Sequence, residues 1–263
     1  MTNFVYHGTG MKKTRVVVIV PTYNEKENIG RLIASLTKIG RKIKNHHLLT
    51  LIVDDNSPDG TAKIVTKLMA TDHNIFLLTG PKKGLGKAMV RGIAYARNKL
   101  KADIIISTEA DFAYDNELIP FAIKKIDEGF DLVVASRHVP GGASQGWTLS
   151  RKIHHYLANT VFATWLAGER KVKDHNGAFR AIRVKGVLDK LNLVSINARG
   201  FAFFNYSLFR LTQLTDKIYE FPTTYHFRTR GESKISFNPK YFCTYLKDVW
   251  EYIYLCFRIR MER

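Results

Sequence analysis

Three short apolar runs constrain this chain more than any other feature: Val16 to Val20, Leu48 to Val53 and Ile104 to Ile106. Each is short and flanked by polar or turn-forming residues, and so reads as a buried strand. Helical periodicity fills the gaps between them. Ile29, Leu32, Ile33 and Leu36 make one apolar stripe, and Ile64, Val65 and Leu68 make another. Ile75 to Leu78 reads as a further short strand. This alternation predicts an α/β fold with a mostly parallel central sheet and helices on both faces. In such sheets ligands bind beyond the carboxyl ends of the strands. The residues just after each run are therefore the candidate site.

After the first run, Asn24 is placed to cap a helix, with Glu27 as the reciprocal acid. The second run leads into Asp54 and Asp55, and Ser57-Pro58-Asp59-Gly60 then turns the chain into a helix. The third run ends in Glu109 and Asp111. Alternate positions on an extended segment point the same way, so both carboxylates face one spot. Two hard oxygen donors there suit Mg²⁺ or Mn²⁺, with a phosphorylated substrate completing the coordination. Taken alone, the stretch fits a loop with surface acids equally well.

The segment from Gly80 to Lys87 invites a phosphate-loop reading, but its spacing fails. Ala88 stands where Ser or Thr should bind Mg²⁺, and Met89 replaces the third glycine of a dinucleotide fingerprint. A glycine-rich helix start still offers backbone N–H groups to an anion, and helix capping explains it as well. Downstream, Asn116 to Asp127 reads as a helix, and Asp131 to Ala135 as a strand that delivers Arg137 to the same sheet edge. Ser150 to Ala167 reads as a helix with Arg151 and Lys152 at its start. Its apolar side, Ile153, Leu157, Val161 and Trp165, suits a membrane surface or core packing. His154 and His155 diverge by about 100° on that helix, which argues against a shared metal. Asp54, Asp59 and Asp115 read as turn or capping residues.

Charge narrows the partners. The 263 residues carry 41 Lys plus Arg against 23 Asp plus Glu, a formal +18, which attracts nucleic acid, anionic lipid or phosphorylated substrates. Cys243 and Cys256 match neither a disulfide framework nor a metal spacing, which fits a reducing compartment. No run reaches the ~18 apolar residues of a membrane span, and Met1 to Gly10 lacks the apolar region of a signal peptide. The expected organisation is a tail over 1–12, one catalytic domain over 13–238 and an amphipathic helix over 239–263. On that last helix Phe242, Leu246, Val249, Ile253, Cys256 and Phe257 form an apolar face, with Tyr241, Tyr245, Trp250, Tyr252 and Tyr254 beside it. Aromatic and basic residues next to an apolar stripe suit either a membrane interface or a cover for the sheet.

The ordered motifs carry a resemblance. Val20-Pro-Thr-Tyr-Asn-Glu25 and Val53-Asp-Asp-Asn-Ser-Pro-Asp-Gly-Thr61 resemble two signatures of family 2 inverting glycosyltransferases, and more narrowly the dolichol-phosphate and polyprenyl-phosphate mannosyltransferases. Gly84-Leu-Gly86, Glu109-Ala-Asp111, Ala135-Ser-Arg137, Gly146-Trp147 with Arg151, Asp174-His-Asn-Gly-Ala-Phe-Arg180, and Arg228 with Gly231-Glu-Ser-Lys234 follow in the family's order. The resemblance implies the nucleotide-sugar-binding type-A glycosyltransferase fold. It implies that Pro21, Tyr23, Glu25, Val53 and Asp55 line the nucleotide pocket. Glu109, Ala110 and Asp111 would hold the metal and the sugar diphosphate. Arg137, Arg228 and Lys234 would contact phosphates, and Arg137 and Arg151 would receive the acceptor phosphate. Two departures stand out: Glu109 replaces an Asp common among relatives, and Tyr206 occupies a position that is often acidic. Ala113 also replaces a polar residue there.

The chemistry agrees with such a set. A divalent cation stabilises a nucleoside diphosphate leaving group as a Lewis acid. Arg228 and Lys234, near Arg230 and Gly231, add positive charge on what reads as a lid. A lipid monophosphate is already ionised near neutral pH, so attack needs no strong base, and in-line displacement inverts the anomeric centre. The expected activity is transfer of a hexose, foremost mannose from GDP-mannose, to a polyprenyl phosphate. The alternatives are a family 2 transferase using UDP-glucose or a polysaccharide acceptor, and an inactive basic protein that binds lipid or nucleic acid. No nucleic-acid motif supports the last. The expected location is cytoplasmic, at the membrane periphery, through surface attachment or a small membrane-anchoring subunit.

Overall fold

Hydrogen bonding between the first two apolar runs sets the frame. In the computed structural model, which describes residues 13–227 and 239–262, β1 (Thr14–Thr22) runs parallel to β2 (His46–Asp54), with Thr14 opposite His46 and Thr22 opposite Asp54. β3 (Ile75–Thr79) extends the sheet beyond β2, and β4 (Ile104–Ser107) lies on the other side of β1. The seven-stranded order is β3-β2-β1-β4-β7-β5-β8, where β5 is Leu132–Ser136, β7 Arg180–Arg183 and β8 Ile218–Pro222. β7 is antiparallel to both neighbours. A separate two-stranded ladder joins β6 (Ala143–Gln145) to β9 (Thr224–His226).

The apolar stripes behave as their spacing predicts. Ile29, Leu32, Leu36 and Ile39 of α1 (Lys26–Lys42) are fully buried, as are Val16 to Val20 on β1. Each such side chain contributes roughly 1.5–3 kcal/mol relative to an exposed one. α3 (Leu85–Asn98) crosses β1 and β2, and Gly92 permits close approach, since a Cβ there would sit 2.8 Å from Val53 Cγ2.

The expected capping by Asn24 is not what the structure shows. Asn24 adopts a left-handed backbone (φ 58°), and Glu25 is the N-cap residue, without a side-chain cap of its own. The second motif supplies the partners instead. Ser57 Oγ accepts from Asn24 N at 3.0 Å, Thr61 Oγ1 from Glu25 N at 3.0 Å, and Asp59 Oδ2 from Lys26 N at 2.9 Å. A cap borrowed from the next strand-end loop locks the first two motifs together.

Three further expectations need revision. α4 begins at Leu118 rather than Asn116 (Leu118–Asp127), after a turn in which Asp115 accepts from Glu117 N. The helix expected over 150–167 is α5 (Leu149–Tyr156) followed by a π-helical segment (Leu157–Leu166). Its apolar side faces out: Ile153, Leu157 and Trp165 are exposed, whereas Asn159 and Ala163 are buried. On α7 (Pro239–Met261) the buried face is Tyr252, Leu255, Cys256 and Ile259; of the expected apolar face Cys256 is buried, whereas Leu246 and Phe257 are exposed. α7 packs against α6 (Ala202–Thr212) and the π-helical segment. The Glu251 carboxylate fastens it by accepting from Arg199 N and Gly200 N.

Candidate active site

The carboxyl ends of β1, β2, β4 and β5 place the candidate residues along one edge of the sheet. Two strand ends turn through left-handed residues, Asn24 (φ 58°) after β1 and Asn56 (φ 51°) after β2. Phe112 (φ 59°) does the same beside Asp111. Three non-glycine residues in this region at one edge are a costly arrangement, of the kind that persists where a site needs a sharp change of direction.

Tyr23 and Pro21 are partly exposed at the end of β1, and Lys82 Nζ sits 3.6 Å from the Tyr23 ring centroid. Glu25 is buried and accepts from Asn28 Nδ2 at 2.9 Å. Asp55 is buried and meets Arg91 Nη2 at 2.8 Å. Sequence reasoning missed Arg91, which comes from the middle of α3. Gly80 makes room for it, because a Cβ there would fall 2.8 Å from the guanidinium carbon. Val53 is fully buried with its side chain toward Gly92, so only its backbone lies at the strand end. Asp54 and Asp59 have structural partners, Thr22 and Ser57 for the first and Lys26 and Thr61 for the second.

At the end of β4, Asp111 is buried and its Oδ1 accepts from Ala113 N at 3.2 Å; Glu109 is half-buried and Ala110 buried. Burial first, then the charges of Glu109 and Asp111, hold the Tyr225 phenol far above its ordinary range. Two carboxylates with hard oxygen donors in a semi-enclosed strand end fit Mg²⁺ or Mn²⁺. Tyr206, at the position often acidic among relatives, is not part of this edge. It is buried on α6 and its hydroxyl donates to Glu262 at 3.2 Å.

Arg137 is more constrained than its motif implies. Its Nε and Nη2 each donate to Asp174 at 2.7 Å, and both side chains are nearly inaccessible. Burial opposes ionisation of Asp174, yet the adjacent guanidinium holds its carboxyl well below the usual range. The Arg137 guanidinium also lies over Trp147 at 5.5 Å and over Tyr225 at 5.3 Å. Arg151 approaches the same indole at 5.0 Å and Phe227 at 5.1 Å. Arg180 serves the scaffold, donating to the carbonyls of Phe204 and His175. The Gly84-Leu-Gly86 motif is a packing device: Gly86 N donates to Arg199 O, and a Cβ on Gly86 would lie 1.9 Å from Ala198 O. Arg228 and Lys234 lie outside the described residues, as do Arg230 and Gly231.

The sequence profile of Glycosyl transferase family 2 matches residues 17–189. Polyprenol monophosphomannose synthase of Mycolicibacterium smegmatis is 30% identical over 224 residues, 84% of this chain and 81% of that protein. Undecaprenyl-phosphate mannosyltransferase of Micrococcus luteus is 32% identical over 84% of this chain and 88% of its own length. Dolichol-phosphate mannosyltransferase of Pyrococcus furiosus is 32% identical over 84% of this chain but 59% of its own. Among solved structures, mannosyl-3-phosphoglycerate synthase from Rubrobacter xylanophilus superposes with a TM-score of 0.63 at 17% identity, covering 95% of this chain and 75% of that one. Glucosyl-3-phosphoglycerate synthase from Mycobacterium tuberculosis, solved with Mn²⁺, UDP-glucose and phosphoglyceric acid, gives 0.60 at 16% identity, covering 93% and 80%. The fold is the type-A glycosyltransferase fold.

Proposed function

The chain belongs to glycosyl transferase family 2, and from that premise we propose that it transfers mannose from GDP-mannose to a polyprenyl phosphate, inverting the anomeric centre. One observation carries the acceptor half of this reading: α5 presents two chemistries on two faces. Leu149, Ile153 and Tyr156 are exposed, at helical spacings of four and three. Arg151, on the other face, lies against Trp147. A lipid phosphate needs both an apolar surface and a cation, and one short helix offers them together.

Tyr23, Glu25 and Asp55 receive the nucleotide, with Arg91 fixing the orientation of Asp55. Glu109 and Asp111 would hold the divalent cation, which would supply Lewis-acid stabilisation of the diphosphate leaving group. Arg228 and Lys234 add charge from the segment beyond Phe227. Arg151 holds the acceptor phosphate, and Arg137, clamped by Asp174, shapes the wall behind it. The ionised phosphate oxygen attacks the anomeric carbon from the face opposite the diphosphate, and no general base is required.

Exposed aromatic and basic residues elsewhere support attachment at the membrane periphery. Trp165 on the π-helical segment and Trp250, Tyr254, Phe257 and Met261 on α7 are exposed, on two helices that pack together. Arg258 and Arg260 lie in the last turn of α7, suiting an anionic leaflet. No helix among the described residues is long and apolar enough to cross a membrane.

The test is incubation with Mn²⁺, a short-chain polyprenyl phosphate and a panel of labelled nucleotide sugars. Lipid-linked mannose from GDP-mannose is expected. No lipid-linked product from any donor overturns the reading, and product from UDP-glucose alone overturns the choice of sugar.

A further inference from the structure

His138 and His155 face each other head-on, with Nε2 atoms 2.8 Å apart and ring planes within 14° of parallel. His138 follows Arg137 at the end of β5, whereas His155 comes from α5, one turn beyond Arg151. His155 meets the Trp147 indole edge-on at 4.9 Å. That indole is also approached by Arg137 and Arg151, and its buried Nε1–H has no acceptor among the described residues. An unsatisfied buried donor amid cations is a place for an anion. His154, by contrast, bonds the Ser150 carbonyl.

The charges around this indole do not balance a phosphate monoester dianion. Arg137 is matched by Asp174, leaving Arg151 as a single positive charge without a carboxylate partner among the described residues. Besides each other, the groups acting on the two imidazoles are Arg137, Arg151, Asp174 and Glu220. Burial first, then Arg137, pushes His155 down to about 3, and burial also lowers His138. Both rings are therefore uncharged in the free protein at neutral pH.

Building on the acceptor reading above, we infer that the His138–His155 pair completes the phosphate subsite formed by Arg151 and Trp147 Nε1–H, and takes up one proton as the phosphate monoester binds. In the neutral pair one Nε2–H donates to the other Nε2. The added proton goes to Nδ1 of the donor ring, so the shared hydrogen bond survives and strengthens. A second proton would set two N–H groups against each other, limiting the pair to one charge. The phosphate remains a dianion, so its attacking oxygen is unprotonated. A monoanionic phosphate hands its own proton to the pair; a dianionic one draws the proton from solvent. Metal binding is the competing use of this cluster, because Asp174 offers a third ligand atom nearby. Both Asp174 oxygens are already occupied by Arg137.

Calorimetric binding of a water-soluble short-chain isoprenyl phosphate at pH 7, in buffers of different ionisation enthalpy, reads the proton directly. Uptake approaching one proton is expected. With a second phosphate pKa of about 6, binding by fixed charges alone gives a slight release of about 0.1 proton instead, and that result overturns the inference. In His155→Gln and His138→Gln the uptake should vanish. Affinity for the phosphate should fall about tenfold at pH 7, with donor nucleotide affinity retained as evidence of an intact fold. Uptake that persists in both variants also refutes the pair. Proton uptake with glycerol 3-phosphate, but no binding of the isoprenyl phosphate, keeps the histidine assignment and overturns the lipid reading. If neither phosphate binds, or stoichiometric Zn²⁺ binding is abolished by His138→Gln while proton-linked phosphate binding is absent, the inference falls.

Discussion

Arg137 and Asp174 are joined by two parallel hydrogen bonds of 2.7 Å, and the Arg137 backbone N–H makes a third to the same carboxylate at 3.0 Å. The pair ties the end of β5 to the loop before β7. Gly177 sits close against it, where a Cβ would lie 3.4 Å from the Asp174 carboxyl carbon. Removing one partner leaves the other charge buried, at a typical cost of about 3–5 kcal/mol. Asp174→Ala should therefore lose about 3 kcal/mol in urea unfolding. Arg137→Met combined with Asp174→Leu should lose much less, because no charge is stranded. If the loss in this double variant equals the sum of the losses in Arg137→Met and Asp174→Leu alone, the two side chains do not act as a unit.

Asp55 and Arg91 make the analogous pair at the proposed donor pocket, where only Asp55 was visible in the sequence. Arg91→Ala should weaken GDP and UDP binding about tenfold, since it removes the guanidinium that orients the Asp55 carboxylate. Acceptor affinity should not change. Titration of both nucleotides against wild type and variant checks this, and equal Kd values would remove Arg91 from the nucleotide pocket.

The contrast between these residues explains how far the sequence could be read. Apolar runs reveal strands because burial writes itself into consecutive residues, so the ends of β1, β2, β4 and β5 and their acids were legible. The partners of Asp55 and Arg137 come from 36 and 37 residues away, as Arg91 and Asp174, and no local period encodes them. Asn24 misled for the same reason: its cap signal is local, but Ser57, Asp59 and Thr61 arrive first from the neighbouring loop. The antiparallel β7, four residues long with an arginine at each end, carries too little apolar length to announce itself. The winding change at Leu157 leaves no signal that periodicity detects, because a π-helical turn differs from an α-helical one by a single residue.

Asp248 gives the fold a pH dependence of defined sign. Burial, with Glu251 adding to it, pushes this carboxyl up to about 6. A folded pKa above the unfolded value means that the stabilisation is fully present below about 3.8 and lost as pH rises through 6. Asp248→Asn should thus stabilise the protein above pH 6 and have no effect at pH 4. The side chain is partly solvated, so the gain is about 1 kcal/mol after allowance for screening. Thermal unfolding at pH 4 and pH 8 reads it, and an equal change at both values would show that ionisation is not the cause.

The exposed aromatics on the π-helical segment and α7 make the last prediction. Trp165 and Trp250 are 66% and 73% exposed, and neither contacts the proposed site residues in any interaction described above. Indole rings favour the headgroup region, where one edge is apolar and the other wet. Trp165→Ala with Trp250→Ala should lower partition onto anionic phosphatidylserine vesicles at least tenfold, which corresponds to about 1.4 kcal/mol. Transfer to a water-soluble short-chain acceptor should be retained, because neither tryptophan belongs to the proposed site. Added salt should weaken vesicle binding of wild type and variant alike, since Arg258 and Arg260 remain. Undiminished vesicle binding in the double variant would mean that the basic residues alone hold the protein at the surface. The exposed apolar faces would then need a protein partner rather than a lipid one.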